Sequence, residues 1–302
     1  MHLTVSDVVS PSYFVATAAV ELGFFRAEGL DVEFVPTPAD TPTAFRHGEI
    51  DFVGGSPYTT LMAFPGWKGA KLLCALSQYT YWFLAMRADL GAKRGDLSAV
   101  KGRRISAAGR PGLALKRVLE AAGLDLERDQ IELVRAPNPP GSWARIGADA
   151  IEQGRADGFW GNGMRVEYAV RRGLATVLLD IRRGDGPPAA RRYTFPALIT
   201  TDHLIEQHPA AAAGAVRAIV NTQRALRADP SLATRVGQRL FPAEEAALIA
   251  ELIERDAEFY DPAISVESVR LASTFAQELG LLSGPVAYAD VVATQFADLW
   301  SQ

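Results

Sequence analysis

One cysteine, four histidines and a scattering of serines are the residues from which this 302-residue chain could build a reactive centre. Their spacing argues against one. Cys74 sits in Leu72-Leu73-Cys74-Ala75-Leu76, an apolar run in which a thiol packs as a small hydrophobe. A single cysteine excludes a disulfide within the chain, a thiolate zinc cluster and a CxxC redox pair. His2, His47, His203 and His208 show no HExxH or comparable ligand spacing, so solvated or capping roles are expected and no metal. No GxSxG elbow and no GxxxxGK(S/T) loop occurs. The first strand runs into Ser6-Asp7-Val8-Val9-Ser10-Pro11, without the glycines that a dinucleotide pyrophosphate needs, and Gly161-Asn162-Gly163 is a lone GxG. Asp7 is the one acid in the loops expected after the first strands, with Asp40 at their edge, and no nucleophile stands beside a base. No catalytic residue and no cofactor is therefore expected.

The remaining polar and aromatic residues suit binding. Ligands of parallel α/β sheets sit beyond the carboxyl ends of the strands. The loops expected there carry Ser10, Ser12 and Tyr13, then Thr37, then Gly55 and Ser56, then Tyr81 and Trp82. Farther along they carry Arg110 and Gly112, Asn138, and Trp160, Asn162 and Arg165. Small residues expose backbone N–H groups, and helix N-termini favour anions. Arg110 and Arg165 add charge-assisted contacts, with Arg110 the expected anion anchor. Tyr13, Tyr79, Tyr81, Trp82 and Trp160 offer faces for a flat ligand, with Trp160 the expected closing face. The competing reading of each aromatic is a core plug, and of each arginine a solvated helix start.

The elements that must position these loops alternate. Leu3–Val5, Leu30–Val35 and Asp51–Val53 read as strands, with helices at Pro11–Leu22 and from an N-cap at Thr41 to Gly48. Gly54-Gly55-Ser56-Pro57 breaks the third strand. This βαβαβ order argues for a parallel sheet with helices packed on it. A second set follows: strand Arg103–Ala107, helix Pro111–Ala122 closed by Gly123, strand Ile131–Val134, helix Ser142–Gln153, and Asp157–Trp160. Ala44, Gly48, Asp51 and Gly55 match Ala150, Gly154, Asp157 and Gly161 as AxxxGxxDxxxG, which reads as two pseudo-repeated lobes. Tyr79–Met86 and Ala175–Ile181 are β-prone, Arg182–Arg192 is rich in Gly, Pro and Arg, and Ala197–Thr200 is a further strand. From Asp202 on the pattern is helical. Two connecting segments flank the second lobe, so residues 1–83 with 189–302 are expected to form lobe one and residues 84–188 an inserted lobe two, as in a hinged clamp.

Composition narrows the class. Hydrophobic residues make up 48% and charged residues 22%, values of a globular chain. The net charge of −4 makes nucleic acid an unlikely partner. No apolar run approaches the roughly 18 residues of a transmembrane helix. The chain as written opens Met1-His2-Leu3-Thr4-Val5 with no signal-peptide pattern, which leaves a cytoplasmic location open.

Leu22-Gly23-Phe24-Phe25-Arg26-Ala27-Glu28-Gly29-Leu30-Asp31-Val32-Glu33 resembles the GFFxxEGLDVE segment of NMT1/THI5-like and SsuA-like solute-binding proteins of ABC transporters. Gly48-Glu49-Ile50-Asp51-Phe52, Gly102-Arg103-Arg104-Ile105-Ser106 and Gly154-Arg155-Ala156-Asp157-Gly158 resemble, in order, further segments of that family. The resemblance implies an α/β, type II periplasmic-binding-protein-like fold with two lobes, two crossover segments and a helical C-terminal region. It implies a small-molecule ligand held between the lobes (sulfonate, nitrate, carboxylate or pyrimidine), an importer permease as partner, and a periplasmic location. The alternative is a cytosolic enzyme of the same fold, desulfinase- or decarboxylase-like, acting on an aromatic acid. The family's enzymes carry a cysteine nucleophile near the first-lobe loops or a cysteine-rich iron motif. Here the first loop holds Ser10 and Ser12, and neither pattern carries over.

Overall fold

The computed structural model describes residues 1–107, 109–135 and 144–301, with the backbone alone at 109–111. The chain forms two compact units: residues 1–79 with 194–302, here lobe one, and residues 80–193, here lobe two. Lobe one opens with β1 (His2–Val5), α1 (Phe14–Glu21), α2 (Phe24–Ala27), β2 (Glu33–Phe34), α3 (Thr41–Arg46), β3 (Phe52–Gly55), α4 (Pro57–Ala63) and β4 (Ala70–Ala75). Lobe two comprises β5 (Phe83–Arg87), β6 (Arg104–Ser106), α5 (Gly109–Ala121), β7 (Glu132–Val134), α6 (Ile146–Glu152), β8 (Gly158–Gly161), α7 (Gly163–Arg171) and β9 (Ala175–Asp180). The chain returns to lobe one with β10 (Ala197–Thr201), α8 (Asp202–Gln207), α9 (Pro209–Ala228), α10 (Ser231–Leu240), α11 (Ala243–Asp256), α12 (Val266–Glu278) and α13 (Tyr288–Val291).

Each lobe holds a five-stranded sheet, ordered β2-β1-β3-β10-β4 in lobe one and β7-β6-β8-β5-β9 in lobe two. The parallel sheet expected from the βαβ order is mixed in both. In lobe one β1 runs parallel to β2 and β3, while β10 runs antiparallel to β3 and β4. In lobe two β6 runs parallel to β7 and β8, while β5 runs antiparallel to β8 and β9. The reversed strand is in each case the first one after the chain changes lobe. Both reversed strands slip register at the same place, between Leu198 and Ile199 and between Leu84 and Ala85.

The repeated AxxxGxxDxxxG has a mechanical meaning. Gly48 (φ 76°) and Gly154 (φ 63°) adopt the left-handed conformation that ends α3 and α6, where a side chain would be strained. The next residues' N–H groups, of Glu49 and Arg155, then bond back to the carbonyls of Ala44 and Ala150 at 3.0 and 2.9 Å. Asp51 Oδ2 accepts from His2 N at 2.7 Å, and Asp157 Oδ2 from Arg104 N at 2.9 Å. The repeated aspartate thus clamps the first residue of the strand that stands second in each sheet's order, β1 and β6. Gly55 and Gly161 close β3 and β8, level with Ala197 and Phe83 of the reversed strands.

Local boundaries differ from the sequence reading where tertiary packing takes over. Pro11–Tyr13 form turns and α1 starts at Phe14. The expected six-residue second strand pairs over two residues. Asp40, not Thr41, caps α3: its carboxylate accepts from Thr43 N at 3.1 Å and from the Thr43 hydroxyl at 2.6 Å. Gly54 and Gly55 belong to β3 rather than breaking it, because a Cβ at Gly54 would lie 2.9 Å from Val5 Cγ1 and 3.3 Å from Ala16 Cβ. The start expected for α6, Ser142, lies outside the described residues.

Lobe one's core is aromatic and aliphatic. Phe14, Phe25, Phe45, Phe52, Leu3 and Leu72 are fully buried, each contributing about 1.5–3 kcal/mol relative to exposure. The Ala-rich run from Ala210 is α9, which buries Ala212, Ala215, Val216 and Ile219. It also inserts Gln223, whose amide donates to the carbonyls of Ala75 and Leu76 at 3.0 Å each. Among the described residues no helix is long and apolar enough to cross a membrane.

Candidate functional site

The carboxyl edge of lobe one is built on the turn after β1. Ser6 N donates to Gly54 O at 2.9 Å, so the loop leaves the sheet level with the end of β3. Asp7 is occupied locally, its carboxylate accepting from Val9 N at 3.2 Å. Ser10, Ser12 and Tyr13 come together in the turn that opens α1, and all three are buried, at 1, 2 and 3% exposure. Ser10 Oγ has no hydrogen-bond partner among the described residues, an omission that costs a buried hydroxyl about 1–3 kcal/mol. Thr37 is exposed and its hydroxyl is committed to Val5 O at 2.8 Å, tying the loop after β2 to β1. Ser56 stands before α4 without a side-chain cap bond, and Gly55 is a packing glycine: its Cβ would meet the Ser6 and Thr59 hydroxyls at 3.1 Å and Ile199 Cδ1 at 3.2 Å.

The helical tail reinforces this edge, a contribution the sequence pattern did not reveal. Tyr260, 1% exposed, donates its phenol to Pro11 O at 3.1 Å. Gln78 Nε2 donates to Asp261 O at 2.8 Å and Ala263 O at 2.7 Å, and Tyr79 packs edge-on against Phe259 at 6.1 Å. No local signal could have found these bonds, because donor and acceptor lie some 180 residues apart or more.

The carboxyl edge of lobe two concentrates aromatic rings. Tyr81 and Trp82 precede β5 at the edge where β8 ends, since Phe83 pairs with Gly161. The Tyr81 and Trp82 rings stand 5.8 Å apart, and Trp82 and Trp160 likewise, in tilted contacts of 59° and 55°. Tyr81, Trp82 and Trp160 are 7, 9 and 5% exposed. Trp160 Nε1 has no hydrogen-bond partner among the described residues. Beyond it Asn162 caps α7, its side-chain oxygen accepting from Arg165 N at 3.2 Å. The Arg165 side chain lies over the end of β8, with Cδ 3.4 Å from where a Gly161 Cβ would stand. Gly112 is needed for close approach: a Cβ there would lie 2.8 Å from Ala107 O. The side chain of Arg110, and Asn138 entirely, lie outside the described residues.

Arg182 stands beside the ring cluster, a placement the sequence reading does not include. It follows β9 at the same edge, is only 2% exposed, and holds its guanidinium carbon 5.9 Å from the Tyr81 ring centroid. Its carbonyl accepts from Arg191 Nε at 2.8 Å. The strand reading Ala175–Ile181 already placed it at a carboxyl end. The signal beside it is only compositional, a stretch rich in Gly, Pro and Arg, and composition does not set burial.

Cys74 lies inside β4 at 0% exposure, and burial pushes its thiol far above the usual range, so the reactive thiolate is suppressed. His47 ends α3 and His208 precedes α9, neither making a side-chain cap. Among the described residues no group of three or more His, Cys, Asp and Glu is placed to hold a metal ion.

Known structures share this architecture. The SsuA periplasmic sulfonate-binding protein of a Methylobacillus flagellatus sulfonate ABC transporter is 20% identical, with a TM-score of 0.70 over 99% of this chain and 92% of that one. The periplasmic nitrate-binding protein NrtA of Synechocystis is 15% identical, with a TM-score of 0.69 over 99% of this chain and 86% of that one. DSZB in complex with biphenyl-2-sulfinic acid is 18% identical, with a TM-score of 0.68 over 98% and 97%. These likenesses establish the two-lobed α/β binding-protein fold. No curated protein matches the chain. The NMT1/THI5-like family model matches residues 10–233, a span that takes in the GFF segment, both repeated aspartates and the ring cluster. By that match the chain belongs to the NMT1/THI5-like family.

Proposed function

We propose that this protein is a solute-binding component of an ABC importer that captures a small organic anion or an aromatic or heteroaromatic compound with its carboxyl-edge loops, and that an importer permease is its partner. The observation that carries the reading is the edge of lobe two. Three contiguous aromatic rings, and a buried indole N–H with no partner among the described residues, suit a flat molecule with a hydrogen-bond acceptor. The sulfonate- and nitrate-binding proteins of the same fold take anions, which supports the same class here. Ser10, Ser12, Tyr13 and Ser56 in lobe one, and Arg110 and Arg165 in lobe two, are the further residues we assign to the ligand.

A second reading, an enzyme acting on an aromatic acid, draws on the likeness to the desulfurization enzyme DSZB. The buried, protonated Cys74 speaks against a thiol nucleophile. A thermal-shift screen of sulfonates, carboxylates and pyrimidines separates the two when each stabilising compound is followed for product. A captured ligand at a hundredfold excess over Kd stabilises by about 2.7 kcal/mol and is recovered unchanged. Release of sulfite or carbon dioxide from a stabilising compound would establish the enzyme instead.

A further inference from the structure

The formal charge of the chain is divided unequally. Residues 80–193 carry 20 Lys and Arg against 13 Asp and Glu, a net of +7. Residues 1–79 with 194–302 carry 11 against 22, a net of −11. The mild overall charge of −4 hides this division. A dissolved anion is drawn by the field of lobe two and repelled by that of lobe one. Within lobe two, Trp160 is the last residue but one of β8, is 5% exposed, and has an indole N–H with no partner among the described residues. An indole nitrogen only donates, so the group that satisfies it is an acceptor, and an anionic oxygen is the strongest one. The adjoining Trp82 ring, 5.8 Å away, and Tyr81 beyond it supply a face for an aromatic body.

We infer that lobe two is the anion-recognising lobe and that the Trp160 indole N–H is the donor that selects an aromatic acid over its uncharged counterpart. The inference rests on the solute-capture reading above and assigns it a lobe, a donor and a ligand class. Trp160 thereby becomes a specificity residue, more than the apolar closing face its residue type suggested. The buried Arg182 beneath Tyr81 keeps that ring in place and adds to the positive character of the edge.

The test uses the full chain with 2-naphthalenesulfonate, 2-naphthoate and the neutral 2-naphthalenemethanol, by calorimetry and stopped-flow tryptophan fluorescence. The wild type is expected to bind both acids at least tenfold more tightly than the alcohol, with an association rate for the acids that falls as salt rises from 20 to 500 mM, concentrations chosen to take the screening length from about 20 to about 4 Å. Trp160→Phe keeps a ring and removes the donor. It should weaken the acids by roughly 10- to 100-fold and the alcohol by less than about threefold, the loss of one hydrogen bond to a charged group. The wild-type acid preference and salt slope need no variant, so equal affinity for acid and alcohol overturns the inference even if Trp160→Phe fails to fold. Equal affinity for acid and alcohol, or acid affinity untouched in a folded Trp160→Phe protein, would overturn it and leave solute capture standing. No binding of any of the three would overturn both this inference and capture of compact aromatic compounds.

Discussion

At the scale of single residues, the protein separates side chains that package the fold from those with hydrogen bonds still to make. Cys74 belongs to the first group. Ellman's reagent should find no reactive thiol in the native protein and one in denaturant, since burial suppresses the thiolate. Cys74→Ser should leave ligand affinity unchanged while costing about 1–3 kcal/mol of stability, measured by urea melts, because a hydroxyl loses more on burial than a thiol. The raised native pKa has a sign. The unfolded chain loses the thiol proton above about pH 8.5 while the native chain keeps it. The contribution is fully present below that pH and erodes as pH rises toward the native value, and Cys74→Ser should flatten that alkaline decline. Arg165 is the arginine of the assigned site whose side chain is described, lying over the end of β8. Arg165→Ala should weaken anions by about 2–5 kcal/mol if the pair is desolvated, read by calorimetry, and an unchanged affinity would remove it from the site.

Among the secondary elements, the clamps made by Asp51 and Asp157 are the decisive joints. Each holds the start of β1 or β6 through one carboxylate oxygen. Asp157 also lies 3.4 Å from Arg87 Nη1 and 3.6 Å from Arg104 Nε. Asp157→Ala should therefore cost more than Asp51→Ala, with each in the range of about 1–3 kcal/mol, and the Asn variants should recover most of it by keeping the acceptor. Urea melts check the order. Gln223 is the joint between α9 and the end of β4. Gln223→Leu strands two buried carbonyls and should destabilise by about 1–3 kcal/mol per carbonyl, whereas a purely apolar role would tolerate leucine.

For the molecule as a whole, the two units each have a sheet and a buried core of their own. Trp67 and Trp300 report on lobe one, and Trp82 and Trp160 on lobe two. Variants retaining only one of these pairs should show urea transitions that do not coincide, the mark of unfolding that is not two-state. Superimposable transitions would instead show that the lobes melt as one cooperative unit. The opposite charges of the lobes belong to this scale too. They vanish in the total, and they emerge only once residues 80–193 are known to be one body.

Much of the fold was legible because its signals are contiguous. The helical period of α9, the left-handed glycines at 23, 48, 123 and 154, and the AxxxGxxDxxxG repeat each act within a few turns of their own chain. The sequence alone therefore determined the element order, the doubled architecture, the family resemblance and the inert setting of Cys74. Tertiary structure decided the rest. The directions of β5 and β10 depend on which way the chain enters a sheet after changing lobe, information that no local period carries. Gly55 became a packing glycine and Asn162 a helix cap because neighbours distant in sequence or one helix turn away claimed them. Arg182 opens a stretch rich in Gly, Pro and Arg, yet it is buried over Tyr81. A charge can be kept inside only where the assembled structure compensates its desolvation, and that compensation comes from groups brought together by the completed fold.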